Sequence, residues 1–96
     1  MSLNKSFEWD ENKNLVNQRK HKVTFEEAQL AFVGPYRVIA IDLEHSNIEK
    51  RYFCFGKINE EIITVRFTYR NKIIRIIGAG YRRKGKRIYE EENKIY

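Results

Sequence analysis

Ninety-six residues with 42% hydrophobic and 14% aromatic content suffice for one domain, residues 1–96, with a single core, even with 33% charged residues. One cysteine, Cys54, forms no intrachain disulfide, and no apolar run is long enough for a signal peptide or a membrane span, so a cytoplasmic protein without membrane partners is expected. The net charge of +6 is one-sided: residues 1–50 carry seven Lys/Arg against eight Asp/Glu and residues 51–96 twelve against five, which favours a polyanion or an acidic partner.

No function is placed on Met1-Ser2-Leu3, which is compatible with an expression remnant. Phe7-Glu8-Trp9 reads as a short strand with Phe7 and Trp9 on one face. Asp10 is the N-cap of a first helix expected from about Glu11 to Lys20. Its apolar stripe is only Leu15 and Val16, so it should lie on the surface and bury one edge. Lys13, Asn17, Lys20 and His21 fall on overlapping faces of it.

Thr24-Phe-Glu-Glu27 is a capping box opening a second helix, Phe25 to Phe32, which turns Phe25, Ala28, Leu30 or Ala31, and Phe32 toward a core. Val33-Gly34-Pro35 ends it. A strand from Tyr36 to Asp42, a polar loop at Glu44-His-Ser-Asn47 and a strand from Ile48 to Lys57 follow, turning at Gly56 to Asn59.

Glu61 to Ala79 is a hairpin around Asn71-Lys72. Alternation puts Ile63, Val65, Phe67 and Tyr69 on one face and Thr64, Arg66, Thr68 and Arg70 on the other, joined there by Ile73, Arg75 and Ile77. Arg66 and Arg75 then lie close together, a repulsive arrangement unless an anion or nearby glutamates offset it. Gly78-Ala-Gly80 stops the strand, residues 81–86 give no firm pattern, and Ile88 to Lys94 reads as a short helix. The order predicts an α+β domain with helices on one face of an antiparallel meander.

The residue types narrow the chemistry. Two histidines and one cysteine, widely spaced, make no metal motif; the glycines at 78–80 make no phosphate-binding loop; nothing matches an acyl-transfer set. Cofactor- and metal-free work on a phosphodiester stays open. RNA brings its own 2′-hydroxyl nucleophile, so a protein need only move protons and hold phosphate charge, which arginine suits. Arg66, Arg70, Arg75 and Tyr81 offer these types near one sheet end, with Lys20 and His21 for proton transfer and Trp9 or Tyr81 to stack a base. Each also has a structural role open to it: His21 as a helix cap, Trp9 as core, Arg82, Arg83 and the rest of the 82–87 run as a solvated face, His45 as an exposed loop residue.

Phe7-x-Trp9-Asp10-x-x-Lys13-x-x-x-Asn17-x-x-Lys20-His21-x-Val23-x-Phe25-Glu26-Glu27-Ala28 closely resembles the opening of the BrnT toxin family. The resemblance continues through Asp42-x-x-His45-Ser46, Glu49-x-Arg51, Val65-x-Phe67-Thr68-x-Arg70 and Arg75-Ile-Ile77, covering about residues 7 to 90. It implies a RelE/ParE-like fold and a type II toxin that cleaves RNA without metal. It also implies a BrnA-like ribbon-helix-helix antitoxin, with operator DNA bound only through that complex. Arg70 matches the arginine the family keeps at this strand end. Where the family reads Ile-Ser-Ala-Arg, this chain has Ile77-Gly78-Ala79-Gly80. Either Arg82 or Arg83 fills the missing arginine's place, or the chain is a catalytically weak or inactive relative that binds antitoxin or RNA. A DNA-binding regulator ranks last, because no helix has recognition-helix character.

Overall fold

Two polar two-residue turns set the sheet. In the computed structural model, which describes residues 7–95, Asn71 and Lys72 both take positive φ, 52° and 66°, the turn geometry that matches strand twist. They join β4 (Glu61–Arg70) to β5 (Ile73–Gly80), as Asn59 and Glu60 join β3 (Tyr52–Ile58) to β4. β2 (Val38–Ile41) pairs with β3 to complete an antiparallel meander. β1 (Phe7–Trp9) adds in parallel to β5, so the sheet is mixed, in the order β1-β5-β4-β3-β2. The domain is α+β; Met1-Ser2-Leu3 lies outside the described residues.

α1 (Glu11–His21) starts on Asp10, whose carboxylate accepts from the Asn12 and Lys13 amides at 2.8 and 3.2 Å. It does not dock as the sequence suggests: Leu15 and Val16 are 49% and 37% exposed, while Asn14 and Asn17 are buried. The reason is that α1 attaches to backbone rather than to apolar side chains. Asn14 Oδ1 accepts the Phe25 amide at 2.8 Å. Asn17 Nδ2 donates to the Val23 and Ala79 carbonyls at 2.9 Å each, and its Oδ1 accepts the Ala79 amide at 3.1 Å. β1 covers β5 only as far as Ile76, so Asn17 takes over where strand pairing stops.

The capping box at Thr24 and Glu27 forms, opening α2 (Phe25–Ala28), which tightens into a 3₁₀ turn at Gln29–Phe32. Ala31 is buried and Leu30 exposed, which resolves the pair left open by the sequence. Gly56 continues β3 rather than turning it. A Cβ there would meet the Ala31 carbonyl oxygen at 2.3 Å, so the glycine lets the 3₁₀ turn lie on the strand. Val23, Phe25, Ala28, Cys54, Ile63, Val65, Phe67 and Ile76 fill this side, with Phe32 edge-on to Phe67 at 5.0 Å.

α3 (Arg83–Glu92) corrects two expectations. It begins well before Ile88, and it packs on the opposite sheet face, burying Tyr89 against Phe55 and Ile62. Gly85, inside the 81–86 stretch that gave no firm pattern, is where the helix meets the sheet: a Cβ would fall 2.0 Å from Thr64 Oγ1. Helices therefore cover both faces, one fully and one in part.

Candidate active site

β5 carries one residue too many for β4. Phe67 pairs with Ile76 but Arg66 pairs with Gly78, leaving Ile77 as a bulge. The bulge puts a glycine, rather than Ile77, opposite Arg66. Across the sheet the row reads Gly78, Arg66, Phe53, Ala40. The next row holds Gly80, Thr64, Phe55 and Val38. Two missing side chains leave a floor low enough for a cleft of about 870 Å³.

Three walls enclose it. Asn17 and His21 come from the end of α1, Arg82, Arg83 and Lys84 from the start of α3, and Asp42 and His45 from the turn after β2. His21 stands over Gly80, where a Cβ would meet its ring at 3.6 Å. The N-cap position of α3 is Arg82, which makes no side-chain cap, so the first amides of this ten-residue helix add partial positive charge to the cations. Of the acidic residues only Asp42 lines the cleft, and its Oδ2 is 2.9 Å from His45 Nδ1.

Arg66 is the cation at the centre. Among the described residues it makes no ion pair, and its Nε is buried with no hydrogen-bond partner in the protein. An unpaired buried donor is costly, and an anion would satisfy it. Thr64 Oγ1, also in the lining, is likewise buried and unpartnered.

The expected residues divide. Arg66, His21, Arg82 and Arg83 gather in the cleft; Lys20 lines an adjoining groove of about 280 Å³ with His21, Lys13 and Ile77. Arg70 and Arg75 keep the face the alternation gave them but lie outside the cleft and are paired. Arg70 Nη2 is 3.4 Å from Glu49 and Arg75 Nη1 is 3.2 Å from Glu8, its direct neighbour across the β1–β5 ladder. Trp9 packs edge-on to Phe25 and donates from Nε1 to Glu11 at 3.1 Å, which places it at the core rather than at the cleft. Tyr81 is also outside the lining; burial raises its phenol pKa, and the carboxylates of Glu61 and Glu27 add to the shift. Cys54 is no nucleophile: burial pushes its thiol to about 12, against the opposing charge of Arg37.

Sequence reasoning missed the Asp42–His45 pair. The D-x-x-H spacing was visible, but a three-residue separation in a polar loop says nothing about which face of a sheet the loop closes over.

A cationic cleft on an otherwise packed α+β sheet, with two imidazoles and Arg66 in its lining, is of the class that suits an anionic ligand. Residues 9–85, four-fifths of the chain, match the family described as "Ribonuclease toxin, BrnT, of type II toxin-antitoxin system", and the chain belongs to that family. Its class is therefore a ribonuclease toxin, with an antitoxin partner and an RNA target. A search of curated proteins finds no match to this chain. Among the described residues no helix is long and apolar enough to cross a membrane.

Proposed function

We propose that the protein is an endoribonuclease that cleaves RNA without a metal, by attack of the 2′-hydroxyl on the adjacent phosphate. Arg66 carries the reading: an unpaired guanidinium on the cleft floor, flanked by His21 and the Arg82–Arg83 segment, is what a phosphorane oxygen needs. The donor set also argues against a divalent metal as the working group. Hard cations take several carboxylate oxygens, and the one carboxylate in the lining already faces a histidine.

In this scheme Arg66 holds the scissile phosphate, with Arg82 and Arg83 on flanking phosphates. His21, assisted by Lys20 in the adjoining groove, protonates the departing 5′-oxygen. Arg70 and Arg75 guide the strand from the rim, Arg70 the more readily because a half-exposed ion pair contributes only about 0–1 kcal/mol and opens easily. Trp9 and Tyr81 serve a base only at the edge of this path. The partner that silences the toxin is a BrnA-like ribbon-helix-helix antitoxin in the cytoplasm, through which the pair reaches operator DNA, and the fold is of the RelE/ParE type.

The test is RNA incubated with the purified protein in EDTA. Strand scission leaving 2′,3′-cyclic phosphate ends is expected, and its absence from both native and refolded samples overturns the proposal. Gly80, standing where the resemblance has arginine, favours one rival: a relative that binds RNA or antitoxin without turnover. Salt-sensitive RNA binding with no scission would select it.

A further inference from the structure

His45 and Asp42 are unused by that scheme, and their surroundings are built. Asp42 is 5% exposed. A buried carboxylate with one half-exposed partner is expensive to keep unless it has a task. It does not cap the short helical turn Leu43–His45 that it precedes, because no side-chain cap bond forms there. Its Oδ2 instead meets His45 Nδ1 at 2.9 Å, which puts the proton of the neutral ring on Nδ1 and leaves the Nε2 lone pair free. The 54% exposure of the His45 side chain keeps that nitrogen accessible.

The turn is also fixed. The Asp42 amide donates to the Arg51 carbonyl at 2.7 Å, Ser46 Oγ donates to the Asp42 carbonyl at 2.6 Å, and the Arg51 amide donates to Ser46 Oγ at 3.0 Å. These bonds close the base of the loop on itself, so the imidazole sits on rigid backbone.

Placement decides its use. His21 stands over Gly80 on β5, while Asp42 follows β2; Arg66 is on β4 between them. Gly80 lies one row to one side of Arg66, and Asp42, two residues past Ala40, one row to the other. Gly80 and Asp42 thus lie diagonally on opposite sides of Arg66, three inter-strand spacings across and four residues along the sheet, about 20 Å between backbone positions, and both imidazoles line the cleft that Arg66 floors. Displacement at phosphorus is in line, so base and acid belong on opposite sides of it.

We infer that His45, oriented by Asp42, is the general base of the cleft. His45 Nε2 takes the 2′-hydroxyl proton as the 2′-oxygen bonds to phosphorus. The P–O5′ bond breaks, and the leaving oxygen takes its proton from His21. The products are a 2′,3′-cyclic phosphate and a 5′-hydroxyl, with no other reactant. Asp42 is a positioning residue acting through the ring. The inference rests on the ribonuclease reading and adds to it the residue that starts the reaction.

The experiment is single-turnover cleavage of one RNA oligonucleotide in EDTA by wild type, His45→Ala, His45→Gln, Asp42→Asn and His21→Ala. A second substrate carries sulfur at the bridging 5′ position. Each variant is first checked by circular dichroism, and RNA affinity is measured alongside. For His45→Ala and His45→Gln we expect a loss of about 100-fold or more in rate with near-unchanged affinity, on both substrates. Free imidazole should restore part of it to the alanine variant. For His21→Ala the sulfur leaving group, which needs no acid, should return most of the rate. Asp42→Asn should lose about tenfold and displace the acidic limb of the pH–rate profile, a change set against Arg66, Arg82, Arg83, Lys84 and His21, the other charged or titratable groups of the cleft lining. If His45→Gln is folded and cuts at the wild-type rate, the inference is overturned while the ribonuclease reading stands. If wild type itself does not cut, the reading fails and the inference falls with it.

Discussion

The two faces of one sheet have been treated in opposite ways. On the α1–α2 side Ile63, Val65 and Phe67 of β4 are 0% exposed and meet aromatic and aliphatic partners throughout. On the other side α3 covers Phe55 and Ile62 but stops at Thr64, and the rest of the face is left to Arg66, two glycines and three polar walls. One face is closed by packing, the other held open by the bulge at Ile77 and by a helix that begins with cations. Stability should therefore depend on the first face and activity on the second, and substitutions can separate them.

The largest effect belongs to the closed face. Phe67→Ala removes a fully buried ring that Phe32, Tyr52 and Tyr69 all contact, and should lower unfolding free energy by about 3–5 kcal/mol. Urea denaturation measures it directly. Arg66→Ala comes next and should do the reverse. Losing the guanidinium whose Nε is buried without a partner on the cleft floor should cost about 10²–10³-fold in RNA cleavage, as loss of a transition-state donor does. Its urea midpoint should stay at or above wild type, since a buried unsatisfied donor is removed. A midpoint drop matching Phe67→Ala would show that the division between the faces is wrong.

Gly85→Ala probes the seam between them. Its new methyl would collide with Thr64 Oγ1 at 2.0 Å and crowd Phe55 at 3.0 Å. The expected cost is about 1–3 kcal/mol, with activity reduced because the start of α3 must lift from the cleft. Thermal melting and cleavage assays on the same preparation would show both losses together, where Phe67→Ala and Arg66→Ala each show one.

Cys54 supplies a pH test of the closed face alone. Its folded pKa, near 12, lies above the ordinary thiol value of 9.0, so the unfolded chain releases that proton first as pH rises. The stabilisation is whole below pH 9 and is lost progressively from there toward 12. At pH 10 the loss is about 1 kcal/mol. Cys54→Ala should flatten the fall between pH 9 and 11 without touching the cleft's own pH–rate profile. Parallel slopes in wild type and variant would refute the assignment.

What could be read in advance follows the same division. The hairpin faces, the capping box at Thr24 and the N-cap at Asp10 were legible because alternation and capping are local chemistry. The parallel β1–β5 pair was not, because two stretches about 65 residues apart carry no local sign of each other. α1 misled because helix docking was sought as an apolar stripe, whereas Asn14 and Asn17 dock it through amide bonds to backbone. Gly56 reads as the start of a turn and Gly85 falls in a stretch without a firm pattern, although each marks a place where a second element touches the sheet. The cleft itself depends on the Ile77 bulge, for which Gly78 inside a strand was the available clue.

Arg70→Ala tests the comparison at its rim, with the smallest expected effect. The resemblance implies that this arginine is the family's strand-end arginine, yet its guanidinium is 3.4 Å from Glu49, which also meets Arg51 at 3.7 Å. A half-exposed pair of this kind is worth about 0–1 kcal/mol, so the fold should barely notice its loss. Cleavage should fall by less than for Arg66→Ala, chiefly through weaker RNA binding that shrinks further as salt rises. Glu49→Gln sharpens the result: freeing Arg70 from its neighbour should tighten RNA binding if the rim guides the strand. Should Arg70→Ala instead match Arg66→Ala in maximal rate at saturating RNA, the phosphate would have to sit across β4's outer end, and the cleft would lose its claim to the chemistry.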